Sequence, residues 1–286
     1  MRLGTVAGIW RYPVKSMRGE RLERCALGGR GIPGDRGWAL RDEAAAEIRG
    51  AKKLPQLLLC SARYLEEPAE DRIPPAEITL PDGRRTRSDA PDAAARLSEL
   101  VGRQVTLWPV RPPEDLDHYR RGAPDHPDLD AELRSVFGRL ADEPLPDLST
   151  IPQELFQFTS IPGGYFDVLP LHLLSTATLR ELGRLNPSSR FDVRRFRPNL
   201  LIESDDRQSG FVELDWCGRT LAIGGARVKV EMPVVRCVMT TLPQDDLPKD
   251  PRVLRTVVRD ANQSAGVYGA VASPGRVAVG DRVELA

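Results

Sequence analysis

Short apolar–polar alternations broken by Gly and Pro dominate the first hundred residues. This period of two predicts strands in "GTVAGIWRYP" (4–13) and a strand–turn–strand in "LERCALGGRGIPGDRGWAL" (22–40). "AEITLPDGRRTRSD" (76–89) reads as a hairpin turning at Asp82-Gly83. The period lengthens in "PDAAARLSELVG" (91–102), which predicts a short helix with Asp92 near its start and Gly102 past its end. "QVTLWPV" (104–110) returns to strand. Regularity is lost from about 111 to 165, a Pro-rich and acidic stretch in which only "DLDAELRSVFGRL" (128–140) has helical spacing. "LPLHLLSTATLRELGRLN" (169–186) predicts an amphipathic helix capped by Ser175 or Thr176, with Leu179 and Leu182 on its apolar face. "FDVRRFRPNLLIE" (191–203) leads into a strand. "RTLAIGGARVKVEMPVVRCVMTTL" (219–242) and "VAVGDRVELA" (277–286) are again β in character.

These elements predict a β-rich mixed α+β chain with a barrel and a few peripheral helices. The expected division is 1–110, an insertion over 111–165 that acts as a lid or linker, and 166–286. The composition adds exclusions. The chain has 286 residues, 41% hydrophobic and 29% charged, with 41 basic and 41 acidic side chains. This balance gives no nucleic-acid footprint. No run approaches the roughly 18 apolar residues of a membrane helix. "MRLGTVAGIWRYPVKSM" lacks the apolar core of a signal peptide, so the expected location is the cytoplasm.

The four cysteines, Cys25, Cys60, Cys217 and Cys237, form no CxxC pair, which argues against zinc and cysteine-held iron–sulfur sites. His118 and His126 in "DHYRRGAPDHPD" hint at a metal site, but solvated loop histidines explain them more simply. Cys237, in "PVVRCVMTT" (233–241), is taken alone as a buried thiol in a strand. Arg236 beside it would favour the thiolate, although strand alternation can turn that side chain away. Thr240 and Thr241 follow at the expected strand end. Lys15, Ser16 and Arg18 in "YPVKSMRGE" (12–20) are a phosphate-binding combination or a solvated turn. Arg36 lies between Gly34 and Gly37. Arg197 precedes Pro198, which predicts an extended arginine projecting into a cleft, with Asn199 behind it. One lone thiol with several separate cationic loops suits a phosphorylated, metal-bearing cofactor.

The motifs "YPVKSMRGE", "GDRGWAL", "LHLLSTATLREL", "FRPNLLIE", "RCVMTT" and "GRVAVGDRVEL", in that order along nearly the whole chain, resemble those of the MOSC-domain family. The likeness extends to that family's N-terminal β-barrel domain, and the nearest branch is that of the amidoxime-reducing components. The resemblance implies a molybdenum cofactor with Cys237 as the metal ligand. It implies pterin and phosphate contacts from Lys15, Ser16, Arg36, Arg197 and Asn199, a lining position for Ser175, and looser roles for Thr240 and Tyr268. Met17 departs from the expected small or polar residue. The acidic insertion is expected to be longer than in the amidoxime reducers, and no C-terminal ferredoxin-like domain, which some bacterial relatives carry, is expected.

The implied activity is reduction of N-hydroxylated compounds, such as amidoximes, hydroxylamines or N-hydroxylated bases, by oxygen-atom transfer to molybdenum. Electrons would come from a separate protein, such as a ferredoxin, a cytochrome b5-type protein or a flavin reductase. Two alternatives stay open: sulfur transfer through a Cys237 persulfide, and a carrier that hands the cofactor on.

Overall fold

A computed structural model describes residues 1–149, 151–204 and 208–286. Thr150, within the Pro-rich insertion, lies outside the described residues. The strands are β1 (Arg2–Arg11), β2 (Glu20–Leu22), β3 (Arg24–Leu27), β4 (Trp38–Asp42), β5 (Glu47–Arg49), β6 (Ser61–Tyr64), β7 (Ala76–Thr79), β8 (Arg85–Arg87), β9 (Val105–Pro109), β10 (Leu171–Ser175), β11 (Leu200–Ser204), β12 (Thr220–Ile223), β13 (Ala226–Val235), β14 (Ser264–Ser273), β15 (Gly275–Ala278) and β16 (Arg282–Leu285). The helices are α1 (Ala93–Val101), α2 (Leu116–Tyr119), α3 (Leu129–Phe137), α4 (Glu154–Gln157), α5 (Thr176–Leu185), α6 (Val193–Phe196) and α7 (Pro251–Asp260).

A closed barrel runs β11-β10-β14-β13-β12-β16-β1, with β1 pairing back to β11 and β2 added outside. The fold is thus mixed α+β and barrel-based, as the alternation predicts. The first strand belongs to the barrel made otherwise by strands from Leu171 onward. Gly4 permits that closure: a Cβ there would lie 2.1 Å from the Glu203 carbonyl oxygen. The barrel interior is packed with Val6, Ile9, Leu171, Leu173, Leu200, Ile202, Val228, Val230 and Val267. A second core unites β4, the β6–β8 sheet, α1 and the turn Pro55–Leu59. It also receives Met239 and Leu242 from beyond β13, and Cys237 packs against its edge. Met17 is fully buried in this core, so its departure from the family pattern is a packing feature.

Three expectations are corrected. The segment 169–186 is not one helix: Leu171–Ser175 is a strand and only Thr176–Leu185 is helical. β10 runs parallel to β11 and antiparallel to β14, so all five of its residues are buried and the apolar run carries no alternation to betray a strand. Arg197 is not extended before its proline; it ends α6 in the left-handed region at φ 56°. His118 is not solvated either. It is buried beside Tyr119 and Tyr165, with Nε2 2.6 Å from the Tyr165 hydroxyl.

The predicted helices at 93–101 and 129–137 form, and both end at left-handed glycines, Gly102 and Gly138. Two further short helical turns, α2 and α4, stand in the insertion. Charge holds the 111–165 segment to β5 and the loop after it: Asp125 pairs with Arg49 at 2.7 Å and with Lys53 at 2.9 Å, and Glu132 also reaches Lys53. No helix among the described residues is long and apolar enough to cross a membrane.

Leu173 is fully buried in the barrel core. Leu173→Ala is expected to lower stability by about 2–5 kcal/mol, because the closed barrel cannot collapse around the missing atoms. Chemical denaturation with an unchanged transition slope would check this.

Candidate functional site

The site forms where the loop after β1, the loop after β5, the stretch before β10, and the ends of α6 and β13 converge. Three of its residues have strained backbones: Ser16 (φ 70°), Arg36 (φ 49°) and Arg197 (φ 56°) are non-glycine residues in the left-handed region. Such strain persists only where the surroundings enforce it, and it concentrates at functional positions.

The enforcement can be traced bond by bond. The Arg36 N–H donates to the Tyr12 carbonyl at 2.7 Å, and its guanidinium pairs with buried Asp35. Asp35 accepts the Tyr12 N–H at 2.7 Å and the Asn199 amide at 2.9 Å. Asn199 also donates to the Trp10 carbonyl and accepts from the His172 N–H at 3.1 Å and from Arg36 at 3.3 Å. Asn199 therefore staples β1, β10 and the arginine loop together, with its amide committed within the protein. Tyr12 lies between two guanidiniums, that of Arg197 4.2 Å and that of Arg36 4.6 Å from its ring centre. Burial pushes the Tyr12 phenol up to about 12, against the opposing pull of both arginines.

Lys15 is buried and donates to the Tyr165 carbonyl at 2.7 Å and to Asp167 at 2.8 Å. Burial lowers its pKa, and Asp167 opposes the shift. For Asp167 burial alone would raise the pKa, but Lys15, Lys52 and Arg36 outweigh it and hold the carboxylate well below its ordinary range. Its side chain nevertheless remains 46% exposed, so it borders an open cleft. The Ser16 hydroxyl accepts the Ala51 N–H at 2.9 Å and thereby fixes the loop that carries Lys52.

Cys237 does not lie in the strand. β13 ends at Val235, and Cys237 precedes the short turn Val238–Thr241. The Thr240 N–H and hydroxyl both return to the Cys237 carbonyl, at 3.2 Å and 3.1 Å. Buried Arg195 holds the same turn by donating to the Thr240 and Leu242 carbonyls. Cys237 is half-buried, and the charges of Lys52, Arg139, Arg236 and the Tyr268 hydroxyl all lie within its electrostatic reach. Arg236 is buried, and its Nη2 donates to the Phe196 carbonyl at 2.8 Å; burial lowers its pKa, and Cys237, Tyr268 and Asp167 oppose the shift. Tyr268 on β14 sits opposite His172 on β10, ring centres 6.0 Å apart. Ser175 is fully buried. Its hydroxyl accepts the Thr178 N–H to cap α5 and donates to buried Glu213.

The structure thus brings Lys15, Arg36, Arg197, Tyr268 and Cys237 to one cleft, with Ser16, Asn199 and Thr240 bonded behind them. Sequence reasoning missed Lys52, Asp167, His172 and Arg139. Asp167 and His172 carried one legible signal, as polar residues at the edge of and inside a nearly all-apolar run. Lys52 and Arg139 carried none, because only the folded loops direct them here. Among the described residues no cluster of three His, Cys, Asp or Glu side chains fit to hold a metal occurs.

The cleft is unbalanced in charge. Among the described residues, the carboxylates that act on Lys15, Lys52, Arg36, Arg197 and Arg236 there are Asp35 and Asp167. Burial depresses Arg197 to about 10, and Arg236 Nε is buried without a partner among the described residues. Buried cations without counter-ions are costly, so the arrangement calls for an anionic ligand.

The family model for the MOSC domain matches residues 163–284, and that for the MOSC N-terminal beta barrel domain matches residues 3–103. The chain belongs to the family of MOSC-domain proteins that carry this N-terminal barrel domain. It is 27% identical to mitochondrial amidoxime reducing component 2 of Bos taurus, over 85% of this chain and 68% of the relative. It is 27% identical to the Homo sapiens protein of that name, over 99% of this chain and 83% of the relative. A structure of the YUAD protein from Bacillus subtilis spans 99% of this chain and 94% of its own, at 12% identity and a TM-score of 0.45.

Burial, and then Arg236, push the His172 pKa well below the ordinary 6.5. The folded protein therefore keeps His172 neutral, while the unfolded chain takes up its proton below pH 6.5. More protons bound in the unfolded state means that stability falls as pH drops below that value. Between pH 7 and pH 5 this residue is expected to remove up to about 2 kcal/mol. His172→Gln should lose correspondingly less over that window in urea melts at the two pH values.

Proposed function

We propose that the protein is a molybdenum-cofactor-dependent oxidoreductase that reduces N-hydroxylated compounds such as amidoximes, hydroxylamines and N-hydroxylated bases. The observation that carries the reading is the pairing of one half-buried thiol, Cys237, with a cleft whose buried cations outnumber its carboxylates. A soft thiolate suits molybdenum, and a guanidinium such as that of Arg197, with no ion-pair partner among the described residues, suits the phosphate of its pterin. Related proteins named for amidoxime reduction support the same class.

In this reading Cys237 ligates the metal. Arg197 and Arg36 hold the phosphate end, and both guanidiniums lie over the Tyr12 ring. Asn199 and Asp35 orient Arg36, and Ser16 orients the Lys52 loop. Tyr268 and Lys52 border the face of the cleft open to substrate. Bound there, the cofactor supplies the two-electron chemistry that removes the hydroxyl oxygen from nitrogen. Electrons reach it from a separate protein, a ferredoxin, a cytochrome b5-type protein or a flavin reductase, and the protein works in the cytoplasm on a small-molecule substrate.

Three measurements test the proposal. Protein from a cofactor-producing host is expected to contain about one molybdenum per chain, and Cys237→Ser to lose nearly all of it. Undiminished molybdenum in that variant would remove Cys237 from the ligand role. Arg197→Met is expected to lower cofactor retention roughly tenfold or more, as one charge-assisted contact is lost. The loaded protein should reduce benzamidoxime with an artificial reductant; molybdenum without turnover would leave only a carrier, and a persulfide on Cys237 without molybdenum would indicate sulfur transfer.

A further inference from the structure

The insertion reaches the residue just before Cys237. α3 ends at Gly138, where an added Cβ would lie 3.2 Å from the Val238 Cα and 2.9 Å from Leu254 Cδ2. The insertion backbone therefore presses directly on the residue after the cysteine. Arg255 of α7 secures it there, bonded to the Gly138 carbonyl and paired with Glu143.

The next residue, Arg139, is buried, and all its bonds go to protein groups. Nη1 donates to the Phe137 carbonyl at 2.7 Å. Nε and Nη2 donate to Gln263 Oε1 at 3.1 Å and 2.9 Å. Nη2 also donates to the Arg236 carbonyl at 3.1 Å. That carbonyl belongs to the peptide linking Arg236 to Cys237. On its other side, the Arg236 N–H donates to the Gln263 carbonyl at 2.8 Å, and Gln263 itself is held at φ 65°. Residue 236 is thus clamped by Gln263 and by Arg139 together. The peptide is planar and trans, so the bond from Arg139 also fixes the direction of the Cys237 N–H, opposite to Arg139.

We infer that Arg139, supplied by the insertion, is a positioning residue for Cys237: it orients the 236–237 peptide and, through it, the sulfur toward the cofactor. The insertion thereby takes part in the metal site as well as covering the fold. A guanidinium fits this task because one planar fork reaches a side-chain amide and a backbone carbonyl at once. The inference rests on reading Cys237 as the ligand, and its test separates the two.

Arg139→Met and Arg139→Lys would be compared with wild type and with Arg134→Ala, which loosens the insertion through the Leu140 and Glu143 carbonyls without touching residue 236. In the cofactor-free proteins, amide hydrogen exchange over 236–241 is expected to speed up roughly tenfold in Arg139→Met, with partial recovery in Arg139→Lys. In molybdenum-loaded protein, Arg139→Met is expected to shift the Mo(V) electron paramagnetic resonance signal and Arg139→Lys to bring it back toward wild type. Unchanged exchange, an unchanged signal, or an equal effect from Arg134→Ala would overturn the inference. Wild-type protein without molybdenum would instead sink the functional reading, and the exchange arm alone would then judge Arg139.

Discussion

The pairing of β1 with β11 and β16 is the constraint on which the site depends. It closes the barrel, and in doing so it delivers the loop after β1 to the residues just ahead of β11. Tyr12 then lies between Arg36 and Arg197, and its hydroxyl donates to the Pro198 carbonyl at 3.0 Å. Asn199 locks the junction by bonding the Trp10 carbonyl, Asp35, Arg36 and the His172 N–H at once. Without the closure, the cationic residues would be separate solvated loops.

The arrangement illustrates how a protein keeps buried charge available. Each fixed carboxylate restrains one cation: Asp35 takes Arg36, and Asp167 takes Lys15. Arg197 is instead held by an aromatic face and a strained backbone, and its guanidinium has no hydrogen-bond partner among the described residues. A hydrogen-bonding partner from the protein would have stabilised the empty cleft and weakened its attraction for an anion. Strain at Ser16, Arg36 and Arg197 is part of the same economy, since the fold holds these loops in conformations they would not adopt alone.

Much of this was legible before the fold was known. The hairpin at Asp82-Gly83, the helices ended by Gly102 and Gly138, and the barrel character follow from turn chemistry and alternation. The lone thiol and the three cationic loops stood out by residue type. What stayed hidden depends on burial or on long-range contact. β10 reads as helix because both of its faces are covered. Cys237 reads as a strand residue because nothing local announces that β13 stops at Val235, two positions earlier. His118 reads as solvated because its aromatic shell comes from Tyr165, forty-seven positions away. Lys52 and Arg139 are placed by the Ser16 bond and by the docking of Gly138, neither of which leaves a mark in the neighbouring residues.

Barrel closure also has a consequence for biosynthesis. Arg2 pairs with Glu284, and Gly4 with Ser204 and Val283. β1 is therefore made long before β11 and β16, the strands that satisfy its edges. During that interval "LGTVAGIW" is an exposed, apolar strand with free edges, the kind of segment that other chains can capture. The site is likewise absent until α6, β13 and β14 have been made, because Arg197, Cys237 and Tyr268 come with them. Chaperones that shield this first strand during translation would therefore govern the yield of closed barrel.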